Sequence, residues 1–181
     1  MSKKLYKKIA LASPILLLSA CGTNLSVEDV HESTNLVHTS YQELVTLNHQ
    51  LLDKELLMNE QFEKVLAEDE ELSSIADDSA DVKTNLNERE AIIEEFSTHL
   101  DSINDEANKL VEYEGTELSA EEISNLSTEL LTFIQDIEKY QESYLNSITV
   151  QRDYLDNIAS SESNYEDFVN GIDIVNETYL A

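Results

Sequence analysis

The scarcity of helix-breaking residues is the feature that most constrains this chain. After Pro14 there is no further proline, and the three glycines are Gly22, Gly115 and Gly171. Because proline removes a backbone donor and glycine weakens regular structure, so few of them favour a small number of long elements. The 41% hydrophobic content, arranged in a sustained apolar period, argues against intrinsic disorder.

Three amphipathic segments follow one another along the chain. In the first, steps of three and four residues separate a series of mostly apolar positions, which predicts a helix over about 27–73. Ser26, with Asp29 three positions later, predicts a capping box at its start. The series is Val27, Val30, Thr34, Val37, Tyr41, Leu44, Asn48, Leu51, Glu55, Met58, Phe62, Val65, Asp69 and Leu72.

The second segment, from Val82 to Leu110, has the same period and predicts a helix over about 79–113. Gly115 then stands where a left-handed residue commonly ends a helix. Ser119 and Glu122 form a capping pattern that opens the third helix, predicted over 119–180. Ser160, Ser161 and Ser163 weaken that helix near 160–163. The apolar period resumes in phase at Tyr165, which favours a kink over a break.

Short connections make consecutive helices antiparallel neighbours, and each apolar stripe must be buried against another helix. The sequence therefore predicts an all-α fold, an elongated, coiled-coil-like, up-down-up three-helix bundle over residues 27–181.

The N-terminus has the features of an export signal. Four lysines lie within the first eight residues and precede the apolar run 9–18, which is too short to span a bilayer. The lipobox Leu18-Ser19-Ala20-Cys21 then predicts cleavage between Ala20 and Cys21, so that residues 1–20 form a cleaved lipoprotein signal peptide.

Cys21 is the only cysteine of the chain, so no disulfide forms within one protomer, and its thiol is the predicted site of lipidation by diacylglycerol. Two acyl chains suffice for lasting attachment. We expect residues 21–26 to be a lipidated tether and the protein to lie on the extracytoplasmic face of the cell membrane.

The chain is strongly acidic, with 11 basic and 38 acidic residues. Once the four lysines of the signal peptide are removed, seven cations remain against 38 carboxylates, a net charge of −31. Since nucleic-acid binders carry basic stripes, this charge excludes nucleic acid as a partner. So acidic a surface is expected to bind divalent cations weakly, and such cations would be needed to bridge it to anionic wall polymers.

The sequence lacks the parts of a catalytic or cofactor site. It contains no HExxH, no GxSxG and no phosphate-binding glycine loop, which predicts a protein that is not an enzyme and has no cofactor. His31 and His38 share one flank of the first helix, where an interface role is favoured over a metal site. A calcium-loop spacing is interrupted at position 6 by Val82, where glycine is required, so no metal site is predicted. That spacing consists of Asp77, Ser79, Asp81, Asn85 and Glu88.

Arg89 is the one basic residue on a predicted apolar seam. Hairpin geometry predicts that it lies level with residues 63–69 and forms a partly buried ion pair there. The alternative is an arginine whose stem packs while its charged head reaches solvent.

Three parts of the sequence carry a family resemblance: the lipobox, Asn85-Leu86-Asn87-Glu88-Arg89-Glu90, and Tyr165-Glu166-Asp167-Phe168-Val169-Asn170-Gly171-Ile172 with Asn176. In these parts the chain resembles the YkyA-type lipoproteins of Gram-positive bacteria. This resemblance implies an elongated three-helix bundle whose partner is the cell wall.

These observations predict a membrane-anchored, non-enzymatic lipoprotein with a cell-wall-binding or structural role in the envelope. The alternative is a tethered helical adaptor that binds another exported or membrane protein. An exposed apolar strip on the assembled helices would favour the adaptor.

Overall fold

The computed structural model describes residues 25–180, with side chains up to residue 178, and its regular structure in that range is entirely helical. The helices are α1 Val27–Glu68, α2 Asp81–Val111, α3 Ala120–Ile158 and α4 Tyr165–Leu180, with a 3-10 helix, Ser73–Ala76, between α1 and α2. The all-α class is confirmed. The three-helix bundle is not, because the segment assigned to the third helix forms two helices. No helix in the described range is both long and apolar enough to cross a membrane.

The predicted capping box at the start of α1 is confirmed. The Ser26 hydroxyl accepts a hydrogen bond from the Asp29 amide at 3.2 Å, and the Asp29 carboxylate accepts one from the Ser26 amide at 2.7 Å. At the start of α3 the Ser119 hydroxyl accepts from the Glu122 amide at 3.3 Å. Each cap satisfies a first-turn amide that has no partner within its own helix.

The end of α1 lies earlier than expected, at Glu68. The Asp69 carboxylate accepts hydrogen bonds from the Ser74 amide at 2.7 Å and from the Glu71 amide at 3.2 Å. These bonds lower the pKa of Asp69 and favour a turn over continued helix. Leu72 adopts a left-handed conformation with φ of 56°, and Ile75 in the 3-10 helix is fully buried.

The expectation of a left-handed cap at Gly115 is wrong, since no described glycine has a positive φ. Gly115 instead lies under the ring of Tyr113, and a Cβ at this position would overlap that ring. The Tyr113 hydroxyl accepts a hydrogen bond from the Leu118 amide at 3.0 Å, which closes the connection between α2 and α3. The glycine is needed for close approach rather than for backbone conformation.

The predicted continuous third helix is also wrong, because α3 ends at Ile158 and α4 begins at Tyr165. Asn164 starts the new helix: its side-chain oxygen accepts from the Glu166 and Asp167 amides, and its own amide donates to the Asp167 carboxylate. This reciprocal cap starts a new helix, and α4 packs against α3. A break and a kink preserve the same apolar phase, so periodicity could not distinguish them.

Helix α2 is the centre of the molecule, and its backbone packs along both α1 and α3. The backbones of α1 and α3 scarcely approach each other, and large side chains span the space between them, as with the rings of Tyr41 and Phe133, whose centroids are 6.0 Å apart. We call this space the α1–α3 groove. Its walls are α1 and α3 and its floor is α2, and α4 covers one end of it.

Candidate functional site

The predicted signal peptide, residues 1–20, and the predicted lipidation site, Cys21, lie outside the described residues. The described chain begins at Leu25, and α1 begins at Val27 directly after its capping residue. Only residues 22–24 separate Cys21 from the described chain. Any anchor at Cys21 would therefore hold the first turn of α1 close to its point of attachment.

A polar cluster built around Arg89 lies inside the helices. The Arg89 side chain is 1% exposed, and its Nε donates to the Tyr144 hydroxyl at 2.8 Å. Its NH1 group donates to Oε1 of Gln151 at 3.0 Å, and its NH2 group lies 3.4 Å from Oε1 of Glu55. The Tyr144 hydroxyl in turn donates to the same Glu55 oxygen at 2.8 Å. One buried cation thus joins α1, α2 and α3.

Two tyrosines at this site have altered acidity. Burial raises the pKa of Tyr144, against the opposing effect of the nearby Arg89 charge. Burial alone raises the pKa of Tyr154 to about 12. Both phenols therefore stay protonated at neutral pH.

A cavity of about 380 Å³ lies between the Arg89 cluster and α4. The Tyr154 hydroxyl is buried at its edge and has no hydrogen-bond partner among the described residues. The cavity has mixed walls, lined by Glu55, Met58, Asn59, Phe62, Arg89, Gln151, Tyr154, Leu155, Ile172, Val175 and Asn176. Its lining combines the buried positive charge of Arg89 with polar and apolar side chains.

Aromatic contacts hold α4 over this cavity. The rings of Phe62 and Phe168 are stacked, with centroids 6.4 Å apart, and Tyr154 lies 6.3 Å from each of them. Gly171 faces the Tyr154 ring so closely that a Cβ there would overlap it. The position of α4 therefore depends on a glycine in the middle of a helix.

The prediction that Arg89 forms a partly buried ion pair is right in kind but wrong in partner. The carboxylate is that of Glu55, two turns from the predicted range 63–69. The α1–α2 register explains the difference: the Ser40 hydroxyl donates to that of Ser102, and the Asn85 amide donates to the Lys54 carbonyl. This register places the start of α2 level with about residue 60, so α1 extends past it by about two turns.

The residues with calcium-loop spacing do not form such a loop. Asp77 accepts from the amide and hydroxyl of Ser79, and α2 already begins at Asp81. Asn85, on α2, is buried and donates to the Lys54 carbonyl of α1, and Glu88 forms an ion pair with Lys54 at 2.6 Å. In the described range no three metal-ligating side chains converge, and the His31 ring contacts Asn35 on the same helix.

The surface carries a large excess of carboxylates. Of the seven cations within residues 25–180, six lie in ion pairs with carboxylates of the same chain. These internal pairs occupy nearly all of the positive charge. The remaining acidic surface is thus available to cations from solution or from a partner.

Sequence reasoning found Arg89 but missed Tyr144, Gln151 and the cavity. Tyr144 and Gln151 are ordinary members of an amphipathic helix, and no spacing distinguishes them. Gly171 did carry a signal, since an isolated glycine inside a helical pattern often marks close packing.

The structure brings together two sequence segments that carry the family resemblance. Arg89, from the segment 85–90, forms the floor of the cavity, while Ile172 and Asn176, from α4, line its opposite side. Both segments thus line the same cavity.

Comparison with known proteins agrees with that resemblance. The family model YkyA, described as "Putative cell-wall binding lipoprotein", matches residues 26–181. No curated protein and no solved structure matches the chain.

Proposed function

Because the chain belongs to the YkyA family, we propose that it is a membrane-anchored lipoprotein that binds the cell wall and catalyses no reaction. The match to this family over residues 26–181 is the observation that carries the proposal. The anchor is diacylglycerol on Cys21, formed after cleavage between Ala20 and Cys21. The protein then lies on the extracytoplasmic face of the membrane.

The geometry of α1 supports such an arrangement. With 42 residues at 1.5 Å each, α1 is about 63 Å long. Its capped first turn is a few residues from Cys21, so its far end, near Glu68, is the part of α1 most able to reach the wall. The short tether favours a fixed distance from the bilayer.

The acidic surface limits the ways in which the protein could bind the wall. Wall polymers such as teichoic acids are anionic, and direct contact with a chain of net charge −31 would be repulsive. Divalent cations shared between carboxylates and wall phosphates remove that repulsion. We therefore propose cation-bridged binding, in which the exposed carboxylates of the far end, such as Glu70, Glu71 and Asp78, take part.

Co-sedimentation with purified sacculi tests the proposal. Residues 22–181 would be incubated with sacculi, with or without teichoic acid, in Mg²⁺ or in EDTA. We expect pelleting in Mg²⁺ that EDTA reverses. Failure to pellet under every condition would overturn the wall-binding role.

Charge-neutralising variants sharpen this test. Glu70→Gln, Glu71→Gln and Asp78→Asn together remove three exposed charges at the far end of α1. The matched control, Glu114→Gln with Glu117→Gln and Glu121→Gln, removes three exposed charges at the opposite end. The first set should reduce pelleting more than the second, and equal effects would contradict a role for the far end.

The second candidate function is a tethered helical adaptor, which the open part of the α1–α3 groove favours. Tyr41 on α1 and Tyr140 on α3 are 45% and 39% exposed there. Exposed aromatic side chains on facing walls are typical of surfaces that receive a helix.

A further inference from the structure

The α1–α3 groove continues well beyond α4. Its floor consists of Arg89, Phe96 and Ile103, which lie seven residues apart on α2 and so project from the same face. The apolar floor positions are Phe96 and Ile103, and the charged one is Arg89. Only the section over Arg89 is covered by α4.

The uncovered section consists of two adjoining hollows of about 410 and 330 Å³. They share Tyr41 and Phe133, so they form one continuous surface. Its walls are mostly apolar and only partly buried, including Val37 and Val45 on α1 and Leu130, Ile137 and Tyr140 on α3.

The dimensions of this section suit a helix. On α1 it extends from Thr34 to Asn48, which is about 22 Å at 1.5 Å per residue. Helix α4, with 16 residues, is about 24 Å long and occupies the adjoining section of the same groove through Phe168, Ile172 and Val175. The chain's own α4 thus shows what kind of element the groove accepts.

We infer that the open section of the α1–α3 groove is a docking site for a cationic amphipathic helix of about four turns, supplied by another protein of the cell envelope. The apolar face of that helix packs on Tyr41, Phe133 and Tyr140, in line with α4. This inference rests on the adaptor role, the second candidate function above, for which it specifies the partner, and it does not depend on wall binding.

The negative charge of the protein determines which kind of helix the groove would bind. Six of the seven described cations are already paired within the chain, so few positive charges oppose the excess of carboxylates on the described surface. Glu129 lies on the α3 side of the open section. A second copy would bring another net charge of −31, whereas lysines and arginines flanking an apolar stripe would be attracted.

Synthetic peptides test the inference on the mature chain, residues 21–181 with Cys21→Ser. The probe is a labelled 16-residue helix with leucine at helical intervals and lysine elsewhere. Comparison peptides keep the composition in scrambled order or replace lysine by glutamate. Fluorescence anisotropy at physiological salt should show binding of the first peptide and much weaker binding of the other two.

The variant Tyr41→Asp separates groove docking from general attraction to an acidic protein. An added negative charge would strengthen non-specific binding of a lysine peptide, but it should weaken groove binding by about tenfold. The control is Leu36→Asp, since Leu36 is 43% exposed on another side of the same helix. It should leave the affinity nearly unchanged.

Tyr140→Asp, on the opposite wall, provides a second groove variant, and circular dichroism establishes that each variant folds. Unchanged or tighter binding by both folded groove variants would overturn the inference. So would equal binding of the scrambled peptide. A wild-type dimer that Tyr41→Asp dissociates would also overturn it and assign the groove to a second copy.

Discussion

The ring of Tyr154 occupies the space in which a Cβ on Gly171 would lie. The ring has little freedom to move, because the rings of Phe62 and Phe168 both pack against it, each with its centroid 6.3 Å away. This one contact between α3 and α4 decides whether the last helix can close over the Arg89 cavity. The contact also reverses the change in stability that is expected when alanine replaces a glycine within a helix.

Gly171→Ala should destabilise the protein by about 1–3 kcal/mol, because the added methyl group overpacks the site. Helix propensity alone would favour alanine by about 1 kcal/mol, so a glycine without close contacts would give the opposite sign. Urea unfolding measures the change. Limited proteolysis should show earlier cleavage between residues 159 and 180.

A second-site change provides the control. Tyr154→Leu removes the ring that alanine would meet, so Gly171→Ala should cost much less in that background. An equal loss of stability in both backgrounds would contradict the steric explanation.

Arg89→Met should lower the free energy of unfolding by about 3 kcal/mol, because it leaves Glu55, Tyr144 and Gln151 without their shared cation. The matched control is Arg152→Met, whose side chain is 33% exposed and pairs with Glu90 at the surface. That change should cost less than about 1 kcal/mol. Similar losses in the two variants, measured in urea, would show that burial does not determine the effect.

Tyr144→Phe and Tyr154→Phe should differ in their effect on stability. The Tyr144 hydroxyl accepts from Arg89 and donates to Glu55, so its removal should cost about 1–2 kcal/mol. The Tyr154 hydroxyl is buried without a partner among the described residues, so its removal should be neutral or stabilising. Thermal unfolding of the two variants compares them directly, and a larger loss for Tyr154→Phe would refute this reading of the site.

Acid should destabilise the turn that follows α1. Hydrogen bonds from the Ser74 and Glu71 amides lower the pKa of Asp69 below its usual 3.8. A lowered pKa in the folded state means that the stabilisation is present above about pH 4 and is lost as pH falls further. Asp69→Asn should therefore flatten the decline in Tm between pH 4 and pH 2, whereas Glu70→Gln, at the exposed neighbouring carboxylate, should not.

Cys21→Ala should release the protein from the membrane. Without a thiol at the lipobox no diacylglycerol can be attached, so the proposed anchor is lost. Cell fractionation with an antibody against the chain measures the distribution. Retention of the variant in the membrane fraction after a salt and EDTA wash would contradict lipid as the anchor.

The sequence predicted the helical class well, because apolar spacing and capping residues such as Ser26 are local signals. It failed where the outcome depended on contacts between distant residues. The period through Tyr165 was correct, but the reciprocal cap at Asn164 decided that a new helix begins. Similarly, the seam position of Arg89 predicts a partly buried ion pair, yet the identity of its partner depends on how far α1 extends past α2.

Gly115 shows another limit of sequence reasoning. A glycine after a helix suggests a left-handed cap, whereas here it makes room for the Tyr113 ring. Both explanations require glycine, and only the three-dimensional arrangement distinguishes them.

The six-residue link 159–164 between α3 and α4 affects how well a helix from another protein could compete with α4 for the groove. Because α4 is covalently attached, its effective concentration at its own section of the groove is of the order of millimolar. A helix from another protein would have to overcome that advantage to displace it. The neighbouring section, over Phe96 and Ile103, lies beyond α4, so a helix that docks there would not have to displace α4.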